Sequence, residues 1–228
     1  MKRIIIFISL IFCTLNANSQ IHEIGVFGGA SNFIGDIGST AYFSPNEPVI
    51  GILYKWNRST RHAFRFSYIQ GAIKGQDSYS KAENRKLRGY TFENNIKEFS
   101  AGLEFNFLDF DLHEGQDKLF TPYMFMGVNY VMYDELYIEA KKSKKDGKSS
   151  TFALPIILGM KTLLTKNLIV AGEIGARFTF TDNLDGSNPK NSNFESLKFG
   201  NLNSKDWYVF TGITVTYTFG QNPCFCAN

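Results

Sequence analysis

The run WYVFTGITVTYTF, residues 207–219, decides the fold. Val209, Ile213, Val215, Tyr217 and Phe219 fall on one face, and Tyr208, Gly212, Thr214, Thr216 and Thr218 on the other, where Phe210 is the one bulky exception. Alternation of this kind is the mark of a β-strand. Strands of soluble sandwiches run to about five or six residues, whereas a tilted strand needs roughly nine to eleven to cross a bilayer. The length favours a membrane-spanning strand, and the terminal Tyr-x-Phe puts rings where it would leave the hydrocarbon. An open edge in lipid leaves backbone donors and acceptors unpaired, so the other strands must close around this one.

Reading outward, further strands fall at 22–31, 49–56, 63–71, 92–108, 120–133, 151–163 and 168–181, giving eight in all. The fourth is the clearest, with Phe99, Ala101, Leu103, Phe105 and Phe107 set against Glu98, Ser100, Gly102, Glu104 and Asn106. The connections alternate: 33–48, 74–91, the lysine-rich 134–150 and 182–206 read as long loops, while 57–61, 109–119 and 164–167 read as turns. Outer-membrane barrels carry longer loops outside the cell and shorter turns in the periplasm, which expects both termini to be periplasmic. A soluble barrel would hide the apolar faces and show the polar ones. Here the polar faces carry Arg65, Glu104, Glu173 and Arg177, which an eight-stranded interior can pair with one another, and partners on neighbouring strands are expected. The predicted fold is therefore all-β, an eight-stranded antiparallel transmembrane barrel over residues 20–219.

Residues 1–19 read as a secretory signal peptide: Lys2 and Arg3, an apolar core from Ile4 to Leu15, and Ala17-Asn18-Ser19 as the cleavage site. Phe12, before Cys13, stands where a lipoprotein signal needs a small residue, so Cys13 is expected to leave with the signal. Removing nineteen residues from 228 leaves 209, and losing Lys2 and Arg3 lowers the formal net charge from +3 to +1. A mean hydropathy of −0.17 does not argue against an integral barrel, whose strands show lipid only every second residue.

Four runs resemble the PorG-like proteins of the Bacteroidetes type IX secretion system, a family of small outer-membrane barrels. They are GVFGGASNFIGDIG (25–38), YKWNRSTRHAFRFS (54–67), RGYTFENNIKEFSAGLEFNFLDFDLH (88–113) and TPYMFMGVNY (121–130). The third is the most specific. The resemblance implies association with the periplasmic ring of a PorK-like lipoprotein and a PorN-like protein, and it implies no catalytic role.

The three histidines, His22, His62 and His113, fall at the turn side and lack close metal-ligand spacing, so no catalytic, metal or cofactor site is expected. The lysines 141, 142, 144, 145 and 148, with Arg85, Lys86 and Arg88, are placed to meet lipid phosphates or merely to solvate a loop. On the turn side, Arg58, Arg61 and His62 lie beside Asp109, Asp111, Glu114 and Asp117. Such a surface suits an oppositely patterned protein partner. Phe110, Leu112 and Phe225 are its candidate apolar anchors, although Phe110 and Leu112 would serve equally as a plug beneath the barrel. Cys224 and Cys226 follow Pro223 near the end of the tail, 220–228. An intramolecular bridge, a labile redox pair and an intermolecular tether are all compatible with that spacing. Expected partners are the ring proteins and outer-membrane lipid, with no nucleic acid. The alternatives are a stand-alone structural or adhesion barrel and a lipid-modifying enzyme.

Overall fold

In the computed structural model, eight strands close into one antiparallel ring in sequence order. It describes residues 21–39, 41, 43–111, 120–201 and 204–220. The strands are β1 (Ile21–Ile34), β2 (Glu47–Asn57), β3 (His62–Gln76), β4 (Thr91–Asn106), β5 (Phe120–Glu139), β6 (Lys142–Thr165), β7 (Leu168–Thr179) and β8 (Trp207–Phe219). A short helix α1 (Glu83–Arg88) sits in the second loop. Closure is made by β1 against β8, from His22↔Phe219 to Ile34↔Trp207, so no strand keeps a free edge.

The ring is inside-out relative to a soluble barrel. Ile24, Ile52, Phe99, Leu103, Leu158 and Ile213 point outward and are 42–60% exposed, while the residues between them on the same strands are buried, among them Glu23, Arg65, Glu104 and Thr214. An apolar exterior of this extent is stable only in lipid. The thirteen residues of β8, at about 3.4 Å each and tilted by about 40°, rise about 34 Å, enough for the roughly 25 Å apolar band of such barrels. The fold expected from the alternation is the fold found. No helix among the described residues is long and apolar enough to cross a membrane.

One expectation is corrected. Residues 134–150 are not a loop: β5 and β6 run on as a paired ribbon to a tight turn at Ala140 and Lys141, both at positive φ. The buried face of β5 changes phase at Tyr133 and Asp134, beyond which Leu136 and Ile138 are buried, while Lys144 to Lys148 on β6 are all exposed. Cross-strand ion pairs, Lys144 with Glu139 and Lys145 with Asp134, satisfy the exposed side. Composition had hidden a strand whose polar face meets water.

Two local features shape the wall. Gly102 of β4 and Gly127 of β5 lie opposite each other, and a Cβ on either would stand 2.2 Å from the other strand's carbonyl oxygen. Only glycine permits that approach. Beyond it, Pro155 lacks an N–H to donate, and the β5–β6 pairing lapses between Met126↔Ile156 and Asn129↔Ala153.

Putting a charge on the lipid face at mid-membrane costs roughly 2–4 kcal/mol. Leu103→Arg is expected to lower the yield of folded barrel in vesicles, measured by heat-modifiable gel mobility, whereas Leu103→Phe leaves it near the parent's. Equal yields from both variants would contradict the outward placement of this face.

Candidate functional site

The inward faces bring eight ionisable side chains together in the lumen. Glu23, Glu98, Glu104 and Glu173 supply four negative charges; Lys55, Arg65, Lys161 and Arg177 supply four positive ones. All are at most 5% exposed. Glu104 on β4 receives Lys55 of β2 at 2.8 Å and Lys161 of β6 at 2.7 Å. Arg65 on β3 grips Glu173 on β7 with two parallel hydrogen bonds, 2.8 and 2.9 Å, and the Tyr123 hydroxyl donates to the same carboxylate at 2.7 Å. Arg177 faces Glu98 at 3.3 Å, and Glu98 also accepts from the Tyr208 hydroxyl at 2.6 Å. Glu23 accepts from Asn57 and Thr216.

Each of the four interior charges expected from sequence, Arg65, Glu104, Glu173 and Arg177, is thus buried and paired. Their partners correct the expectation of neighbouring strands: β3 and β7 are four strands apart in an eight-stranded ring, so Arg65 and Glu173 meet across the lumen. An eight-stranded interior is narrow enough for long side chains to span it. Sequence reading placed Glu98 on the polar face without assigning it a partner, and it gave no role to Glu23, Lys55 and Lys161. A lone charge at an inward position of a strand was the available signal.

Towards the loops the lumen is mostly apolar, with Asn94 buried there and donating to the Asp134 and Leu184 carbonyls. Phe33, Ile37, Ile73, Phe92, Leu136 and Leu184 belong to one buried cluster beneath the loops. Aspartates bind the loops to it: Asp185 accepts from the Asp36 and Ile37 amides, Asp206 from Leu184 N, and Asp77 from Gly38 N, Tyr90 N and the Arg88 guanidinium. Burial pushes the Asp185 carboxyl up to about 6, with the nearby Asp36 charge adding to it. Burial and the charge of Asp185 likewise push Asp206 well above the usual carboxylate range.

At the turn end Phe110 packs with Ile169 and Leu163, and the Lys161 ammonium lies 4.9 Å from its ring. It is 5% exposed. Phe110 is therefore part of the barrel floor, which corrects its candidacy as a free docking anchor: an apolar ring beside the charged lumen is more stable covering it than facing water. Arg61 is committed as well, bonded in a fork to Asp109 at 2.7 and 3.0 Å. Arg58 is exposed and stacks over Trp56 at 5.2 Å. Leu112, His113, Phe225, Cys224, Cys226 and the expected signal peptide lie outside the described residues. Among the described residues no group of three or more His, Cys, Asp or Glu is arranged to hold a metal ion.

Over residues 2–228 the chain matches a family described as Domain of unknown function (DUF6089). It belongs to the DUF6089 family. No curated protein sequence matches it. Among solved structures, this DUF6089 chain is similar to Ail, the attachment invasion locus protein of Yersinia pestis, at 10% identity and a TM-score of 0.46, covering 89% of this chain and 100% of that one. It is also similar to Neisserial surface protein A at 9% identity and a TM-score of 0.46, covering 88% and 95%. OprG of Pseudomonas aeruginosa follows at 11% identity and a TM-score of 0.45, covering 89% and 96%.

Two predictions follow from these contacts. Glu173→Ala strands Arg65 in the lumen and is expected to destabilise the barrel by about 3–5 kcal/mol in denaturant titrations. Replacing the pair together, Arg65→Met with Glu173→Leu, is expected to cost less than Glu173→Ala alone; a larger cost would show that the pair's value is not its mutual neutralisation. The loop cap is expected to depend on pH with a fixed sign. A folded-state carboxyl raised to about 6 contributes stability that is complete below its unfolded value near 4 and lost as pH rises through about 6. Amide exchange at Ile37 and Leu184, corrected for intrinsic rates, should be slower at pH 5 than at pH 7.5, and the reverse order would contradict the assignment.

Proposed function

We propose that this barrel is a non-enzymatic outer-membrane component of the type IX secretion system, whose turn end and termini face the periplasm and contact a ring of PorK-like and PorN-like proteins. The observation that carries the reading is a lumen packed with mutually neutralised charges, which leaves the molecule its two ends and its wall to work with. The resemblance of residues 25–38, 54–67, 88–113 and 121–130 to PorG-like proteins supports the choice of partner. With Phe110 in the floor and Arg61 bonded to Asp109, the docking candidates are Arg58 and, outside the described residues, Leu112 and Phe225. A cation on a rim steers and orients a partner more than it tightens binding.

A second reading, a stand-alone structural or adhesion barrel working through its outer loops, is favoured by the cap in which Asp77 and Asp185 tie the first loop to the second and the fourth while Asp206 braces the fourth.

Co-purification separates the two. Under the first, Arg58→Glu combined with truncation after Gly220 is expected to give a folded barrel that retains less than a tenth of the ring proteins, while Lys141→Ser with Lys142→Ser and Lys144→Ser retains them fully. Loss of ring proteins from the lysine variant but not from the turn-end variant would overturn the assignment of sides and of partner.

A further inference from the structure

On the outer wall, two of the lysines named above as candidates for lipid phosphates, Lys145 and Lys148, share a groove with Lys97. On the outward side of β4, β5 and β6, the strand register sets Phe99, Tyr130 and Phe152 in one row and Lys97, Met132 and Ser150 in the next row towards the loops. Two residues along a strand are about 7 Å. Lys148, opposite Asp134, stands one row further. The lower row is aromatic, with Tyr68 and Phe99 4.7 Å apart and Tyr130 and Phe152 5.6 Å apart.

Above it, a concave groove of about 690 Å³ is lined by Lys97, Lys145, Lys148, Asn95, Tyr130 and Met132, among others. Asp134 is the one carboxylate in that lining, and Lys145 engages it at 2.6 Å. Lys97 and Lys148 are exposed and have no ion-pair partner among the described residues. Tyr130 is shared with a second, apolar groove that continues down the wall between Phe66, Phe99, Val128 and Phe152. The surface is therefore amphipathic along one line, with uncompensated ammonium groups at the loop-side boundary and an apolar channel beneath.

We propose that this groove binds a phosphate-bearing glycolipid of the outer leaflet, its phosphates on Lys97 and Lys148 and an acyl chain in the channel below Tyr130. Two uncompensated cations in one groove match a headgroup carrying two phosphates better than one carrying a single phosphate. Phosphate–ammonium contacts are charge-assisted and gain strength at the edge of a low-dielectric medium. Loop-side residues meet the outer leaflet when the longer loops lie outside, and this is the one point the inference shares with the proposed function. Binding in detergent does not depend on the ring proteins, so the two can fail separately.

The test is lipid binding to the purified full barrel in neutral detergent, read by native mass spectrometry. The probes are bisphosphorylated lipid A, the same lipid stripped of phosphate, phosphatidylglycerol and inorganic phosphate. The expected result is tightest binding to bisphosphorylated lipid A, weakened at least tenfold in the Lys97→Gln, Lys148→Gln double variant and by raised salt in the parent. The stripped lipid should bind equally, within twofold, to parent and variant. Heat-modifiable mobility checks that the variant is folded. Unchanged lipid A binding in the variant overturns the site, as does equal binding of the parent to lipid A and its stripped form. Tighter binding of phosphatidylglycerol overturns the glycolipid assignment, and displacement of lipid A by millimolar inorganic phosphate marks a free-phosphate site instead.

Discussion

The contact between Arg65 and Glu173 reaches from one wall of the barrel to the other. Neither charge can be hydrated once the ring closes, and removing an ion from water costs several kcal/mol even after relaxation. The arrangement is stable because each group is answered: Tyr123 supplies a further donor to Glu173, and Glu104 gathers Lys55 and Lys161 nearby. Four carboxylates against four cations leave the lumen neutral. A ring of side chains joining β2, β3, β4, β6 and β7 also fixes the strands relative to one another from the inside, as backbone pairing does along the wall.

The rest of the molecule takes its division from that layer. With the polar atoms turned inward, the outward alternation is free to be apolar, and lipid becomes the only medium that suits it. Towards the loops the charged layer gives way to the cluster around Ile73, Phe92 and Leu184, to which aspartates tie the loops through backbone amides and, at Asp77, through the Arg88 guanidinium as well. Towards the turns, Phe110 and Ile169 close the floor. Among the described residues the two ends thus differ in construction: one is a folded cap, the other carries the turn at 57–61, where Arg58 is exposed.

Much of this was legible in the sequence because period two is a strong signal over thirteen residues or more, and because Phe99, Leu103, Glu98 and Glu104 on one strand specify both faces at once. The ribbon beyond Tyr133 was not legible, since Lys141 to Lys148 compose like a loop while pairing like a strand. Nor could spacing along one strand say that Glu173 would meet Arg65; that depends on how narrow the closed ring is and on which rows come level across it. Phe110 was ambiguous for a related reason. An apolar residue in a turn covers the floor or greets a partner according to what lies above it, and here Lys161 and Ile169 do. The lysine at 97 escaped notice because it falls on an otherwise apolar outward face, where only the register with Met132 and Ser150 shows that the aromatic belt has already ended.

The central claim is that the charged face points into a packed lumen and the apolar face into lipid. Nitroxide labels placed singly at Ala101, on the outward face, and at Ser67, on the inward face, in a cysteine-free barrel reconstituted into bilayers test it directly. Oxygen, which concentrates in hydrocarbon, should relax the label at 101 strongly and the label at 67 weakly. A stronger effect at 67 than at 101 would contradict the account.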